Sequence, residues 1–141
     1  MINLSNIQEK TILSIKSNLI ICLKLLNDKR LAISTLEYSI FIFNKITYEI
    51  DINIKNYQNK PFFYFNQLSN NNLITCSSDE KIIIYKIYNK TFEITDILIE
   101  HILKVNKVIE IKNEIIISCS NDATIKFWKK IIMKFIIILK V

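Results

Sequence analysis

There is no glycine in this chain of 141 residues, where ordinary usage near 7% would supply about ten. That absence excludes the glycine loops that cradle phosphate, and it removes the glycine-rich turn on which an acyl-transfer oxyanion site is usually built. Histidine and proline occur once each and cysteine three times. No CxxC pair, HExxH pattern or EF-hand loop occurs, so neither a metal nor a cofactor is expected. Arg30 is the only arginine. The formal net charge of +6 and the pI near 9.2 therefore rest on lysines, scattered along strand ends and loops without forming a run. Specific base contacts favour arginine, which argues for a solvated surface and against nucleic acid.

Targeting signals are scarce as well. Glu9 and Lys10 precede any apolar run, and the stretch from Leu19 to Leu26 is broken by Lys24, so no secretory signal is built. The apolar run from Ile131 to Val141 contains Lys134 and Lys140 and is far shorter than the ~20 residues that span a bilayer. It reads as a last strand. A cytoplasmic or nuclear protein with free thiols at Cys22, Cys76 and Cys119 is the expectation.

What the chain does have is isoleucine. Half of its residues are hydrophobic, enough for a packed core. Runs such as Ile82-Ile83-Ile84 and Ile115-Ile116-Ile117 lack the polar alternation of a strand with one wet face, and so suit strands buried on both faces. The wealth of Ile, Asn, Lys, Tyr and Phe also points to a genome poor in G and C. Asn27-Asp28, Asn70-Asn71-Asn72 and Asn121-Asp122 are expected to take the turns that glycine would serve, because Asn and Asp enter the left-handed region more cheaply than other residues with a β-carbon.

The stretch from Ser118 to Trp128 has a degenerate copy from Thr75 to Tyr85, 43 residues earlier, and a fainter one from Ile33 to Phe43, another 42 earlier. Cys76 and Cys119 share one place in two copies, so their separation is the repeat period and not a ligand spacing. An Asp turn followed by an apolar strand ending in Trp, at a period of about 40 to 45 residues, resembles the WD40 repeat. That resemblance implies an all-β fold, a partial WD40 β-propeller of about three four-stranded antiparallel blades. Residues 19–57 form a degenerate first repeat, 58–100 a degenerate second and 101–141 the third; 1–18 form an N-terminal segment in which Thr11 to Ile15 would be the outer strand of a preceding blade. Three blades are short of the four to eight of a closed ring, so association with further blades or with itself is expected.

The resemblance further implies a hydrogen-bonded tetrad of His101, Ser118, Asp122 and Trp128, in which the indole donates to Ser118, Ser118 to the imidazole, and the imidazole to Asp122. Departures accompany the match: Glu100 replaces the family's glycine before His101, Ala123 its glycine after the turn aspartate, and Lys129 the aspartate after the tryptophan. The second repeat keeps Thr75 and Asp79, has Tyr85 for tryptophan and lacks a histidine; the first has Ile33, Glu37 and Phe43. Ser, His and Asp are also the members of a hydrolase triad, but Ser118 lies among isoleucines inside a strand, so a structural role is expected and no catalytic residue is assigned. The four aromatics from Phe62 to Phe65 are expected to pack as the innermost strand of the second repeat.

With the four strands of a blade lettered a to d in chain order, the expected function is a non-enzymatic scaffold for protein–protein interaction, using the face of the d–a loops between blades and the b–c turns within them, near Gln58 to Lys60, Asp79 and Glu80. Two other readings stand beside it: a lysine-rich surface for nucleic acid or an anionic membrane, and the propeller portion of a larger enzyme complex.

Overall fold

A computed structural model describes residues 19–111, 115–129 and 134–140. Twelve strands and no helix occur among them, so no described helix crosses a membrane. The strand expected at Thr11 to Ile15 lies outside the described residues.

The strands form three four-stranded sheets, each an antiparallel meander in chain order. The first holds β1 (Ile20–Leu25), β2 (Leu31–Thr35), β3 (Ser39–Phe43) and β4 (Ile50–Lys55); the second β5 (Phe62–Gln67), β6 (Leu73–Ser77), β7 (Ile82–Ile87) and β8 (Phe92–Leu98). The third holds β9 (Val105–Ile111), β10 (Ile115–Ser120), β11 (Thr124–Lys129) and β12 (Lys134–Lys140). β5 packs against β1 and β2 on one side and against β9 on the other, which places the first strand of each sheet nearest a shared axis. The aromatic run from Phe62 to Phe65 is thus an inner strand, with Phe62 and Phe65 buried.

Side chains alternate across a strand, and here both faces of the middle sheet are covered. Leu73 and Tyr85 join Ala32, Ile40, Ile42, Ile52 and Ile54 of the first sheet in one core, with Ile83 packed against it. Ile74, Cys76, Ile82 and Ile84 join Val105, Val108, Ile116 and Trp128 of the third sheet in another. The triplet from Ile82 to Ile84 therefore needs no polar member: its first and third residues face one neighbour and its second faces the other. Fully burying each such side chain contributes about 1.5–3 kcal/mol.

The repeat also extends to irregularities. Pairing between the third and fourth strands slips between Ile42 and Phe43, between Ile84 and Tyr85, and between Phe127 and Trp128, the same place in each sheet. A bulge there sharpens the local twist just before the large side chain that ends each copy of the repeat.

Glycine's absence is met differently from expectation. Among the described residues, seven hold positive φ: Lys29, Tyr38, Tyr48, Asn59, Asn71, Glu80 and Ala123. Only two of them are asparagine. Asn71 does what the sequence led one to expect, but at Asn27-Asp28 the left-handed residue is Lys29 and at Asn121-Asp122 it is Ala123. The reason is that the strained position in these turns comes after the Asx residue, whose carboxylate or amide is occupied in accepting backbone N–H groups: Asp28 takes that of Arg30 and Asp122 that of Thr124. Tyr38, Glu80 and Ala123, at φ of 65°, 69° and 60°, occupy equivalent places in the three turns between second and third strands.

Candidate functional site

In the second and third sheets the loop entering the first strand and the turn between the second and third strands lie at the same end, and their side chains meet there.

In the third sheet the meeting is a continuous hydrogen-bonded chain. The Trp128 indole N–H donates to Ser118 Oγ at 2.9 Å. Ser118 Oγ lies 2.8 Å from His101 Nε2, and His101 Nδ1 lies 2.8 Å from Asp122 Oδ2. Asp122 accepts only, so it fixes the proton on Nδ1; Nε2 then accepts from the Ser118 hydroxyl, and every donor has one acceptor. Asp122 also accepts from the Thr124 hydroxyl at 2.5 Å and from the backbone N–H of Thr124 at 3.0 Å and Ile102 at 3.2 Å. Two residues back, the Ser120 hydroxyl donates to the Leu103 carbonyl at 3.0 Å, and the Asn121 N–H to that of Lys104 at 3.0 Å. Loop, turn and strand are tied at several points.

Burial sets the protonation states. Desolvation holds the His101 imidazole below its ordinary 6.5, against the pull of Asp122 toward the charged form. Burial alone would raise the Asp122 carboxyl, but hydrogen bonds from Thr124, His101 and the Ile102 N–H outweigh it and hold the group far below the usual carboxylate range. Asp122 is thus an anion beside a neutral imidazole. Acid, imidazole and hydroxyl are in the order of a hydrolase triad, yet Ser118 is 1% exposed and its oxygen already accepts from Trp128. No substrate reaches it.

The second sheet divides the same task. Thr75 donates to the Ile83 carbonyl at 3.3 Å, and burial drives the Tyr85 phenol well above its ordinary value. Asp79 is half-buried and not a surface group, because it accepts from Ser77, from the Lys81 N–H at 3.3 Å and from Asn56 Nδ2 at 3.5 Å. Asn56, which also donates to Ser77 at 3.3 Å, is the residue that sequence reasoning missed. It precedes Asp79 by 23 residues where His101 precedes Asp122 by 21, a loop longer by two. In the first sheet Ile33 and Phe43 fill the corresponding places, both buried and apolar.

This fold has known counterparts. The chain superposes on the WD40 β-propeller domain of Doa1 with a TM-score of 0.76 at 14% identity, covering 86% of this chain and 40% of that one. The fold is three blades of a WD40 β-propeller. The RRP9 WD40 repeats and U3-55K match with TM-scores of 0.74 at 15% identity, over 86% of this chain and 38% and 39% of theirs. At these identities the likeness is one of fold, and the chain spans about two fifths of the length of the propellers it matches. No family model and no curated protein matches the sequence.

Above the networks of blades two and three, the loop side chains turn outward. Tyr57 follows Asn56 directly and is 86% exposed; Ile102 follows His101 directly and is 75% exposed. Tyr57 borders a groove of about 150 Å³ with Lys55, Gln58, Asp79 and Lys81. Gln58, Asn59, Lys60 and Glu80 are exposed around it. A larger recess of about 520 Å³ lies at the opposite end, beside Asp28, Arg30, Asn44 and Tyr88. Its arginine is spent within the protein, on Asp28 at 2.7 Å and on the carbonyls of Tyr88 and Asn89 at 3.0 and 2.9 Å, so Arg30 clamps blade one to blade two. Among the described residues no group of three or more His, Cys, Asp or Glu side chains is placed to hold a metal ion. Burial pushes the Cys76 thiol up to about 12, leaving it a poor nucleophile.

Proposed function

We infer that this chain is a non-enzymatic scaffold whose d–a and b–c loop face binds another protein. The supporting observation is the pairing of a buried lock with an exposed apolar side chain at the same place in successive blades: Asn56 with Tyr57, and His101 with Ile102. An exposed hydrophobe on a mobile loop loses much of its binding energy to ordering; one on a pinned loop is already organised. The tetrad of His101, Ser118, Asp122 and Trp128, and the divided network of Thr75, Asp79, Tyr85 and Asn56, act in this reading as the pins. Aromatic anchors flanked by polar groups are the usual centres of such interfaces.

Several lysines that a polyanion would need are engaged within the chain. Lys104 and Lys107 lie over the rings of Phe63 and Tyr64 at 3.3 and 5.4 Å, Lys24 donates to Asn66 at 2.5 Å and Lys126 to the Glu100 carbonyl. This favours a protein partner over nucleic acid or an anionic membrane.

The test compares proteins retained by the immobilised chain with those retained by its Tyr57→Ala, Ile102→Ala double variant. Both side chains are largely exposed, so the variant melts within about 2 °C of the parent, and partners that depend on this face are lost. An unchanged set of retained proteins rules the face out.

A further inference from the structure

Among the described residues, the contact that joins blade one to two, and two to three, is left half-made at each end of the series. The blade that follows is met by equivalent residues each time: Ala32, Ile40 and Ile42 of blade one, and Ile74, Ile82 and Ile84 of blade two, all at most 1% exposed. Counting on by one repeat gives Ile117, Ile125 and Phe127 of blade three. Register places Ile117 directly between Ile109 and Phe127, so these side chains form one apolar face. Nothing described covers it fully: Ile109 and Ile111 are 37% and 39% exposed, and Ile109, Ile117, Cys119 and Ile125 line an apolar groove of about 210 Å³.

The complementary half is on blade one. Phe62, Phe65 and Phe92 are among the residues with which blade two receives blade one, and counting back one repeat from these three gives Ile20, Leu23 and Ile50. These are exposed by 55%, 67% and 47%. One chain therefore carries both halves of an interface it already makes twice internally.

We propose that the far face of blade three receives blade one of a second copy, so that two chains close head to tail into a ring of six blades. Continuity with the two internal contacts sets the partner, since the exposed face has the residue pattern that a blade of this same sequence fits. A head-to-tail contact either closes into a ring or grows without end. Two copies of these three blades supply six, within the four to eight of closed propellers. Blade one suits this junction in another respect: with Ile33 and Phe43 in place of a polar network, its receiving face leaves no buried hydrogen-bonding group without a partner at the tetrad positions.

Analytical ultracentrifugation of the 141-residue chain is the test, with two variants that block one half each, Leu23→Asp on blade one and Ile109→Asp on blade three. Both positions are exposed in the single chain, and far-ultraviolet circular dichroism checks that each variant folds; Ile50→Lys and Ile111→Lys are the second pair if either does not. The parent sediments at twice the chain's 16.7 kDa. Each variant alone falls to the single mass, and mixing the two at high concentration restores the double mass as an open pair, because one supplies an intact blade-three face and the other an intact blade-one face for a single junction. A monomeric parent, a mass that keeps rising with concentration, variants that stay dimeric, or a mixture that stays monomeric overturns the proposal.

Discussion

Replacing His101 with alanine lowers the melting temperature by about 10 °C. The substitution takes the acceptor from the Ser118 hydroxyl and one donor from the Asp122 carboxylate, both of which stay buried. Breaking a buried network by removing one member costs about 3 kcal/mol, and in a chain of this size each kcal/mol moves the midpoint by about 3–4 °C. The same variant changes the response to acid. Folding holds the imidazole below 6.5, so neutral His101 contributes its full stability above that pH, and the contribution is lost as pH falls through 6.5 toward the folded value, because the unfolded chain takes up the proton first. Asp122 acts in the same direction at lower pH: its stabilisation is complete above the ordinary carboxylate range and fades as pH falls through it. With a single histidine in the chain, the parent's melting temperature falls between pH 7 and pH 5, and the alanine variant's falls less over that interval. Thermal unfolding by circular dichroism at several pH values checks both. An alanine variant that melts within 2 °C of the parent, with the same pH dependence, removes the network from any role in stability.

Restoring glycine to four turns stabilises the chain by about 2–3 kcal/mol, or about 8 °C. Lys29, Tyr38, Glu80 and Ala123 hold φ between 60° and 72°, where a residue with a β-carbon is strained by about 1–2 kcal/mol. Glycine relieves that strain but enlarges the unfolded ensemble, which returns about half of the gain at each position. The four lie in separate turns, so their effects add. Asn71→Gly is the control. It changes stability by a few tenths of a kcal/mol at most, because asparagine already tolerates the conformation. A fourfold glycine variant no more stable than the parent in urea would mean that these turns relax in solution.

The parts of this fold that sequence made legible share one physical character, a pattern repeated at fixed spacing. The copies ending at Tyr85 and Trp128 led to two blades, and the isoleucine triplets to strands covered on both faces, because both signals come from the chain's own periodicity. His101, Ser118, Asp122 and Trp128 were named from one repeat, and they lie within hydrogen-bond distance of one another. Where substitution changed the chemistry but preserved the role, sequence was silent. Asn56 offers the donor that a histidine supplies elsewhere, from a loop two residues longer, so neither residue type nor spacing marked it. Arg30 read as one more surface charge, although it joins two blades through carbonyls that have no sequence signature. Of the three turns assigned to asparagine on propensity, Asn71 holds the left-handed conformation in one, whereas Lys29 and Ala123, each just after the Asx residue, hold it in the other two; Tyr38 and Glu80 hold it in turns where no such residue was expected.

With one tryptophan and one histidine in the chain, nuclear magnetic resonance of the ¹⁵N-labelled protein reports on the pinned loop without assignment by mutation. If Trp128, Ser118, His101 and Asp122 are joined in solution, the indole N–H exchanges slowly with solvent, and the imidazole stays neutral through its ordinary pKa with its proton on Nδ1. An indole proton that exchanges freely, together with an imidazole that titrates near 6.5, means that the loop carrying Ile102 is not held in place.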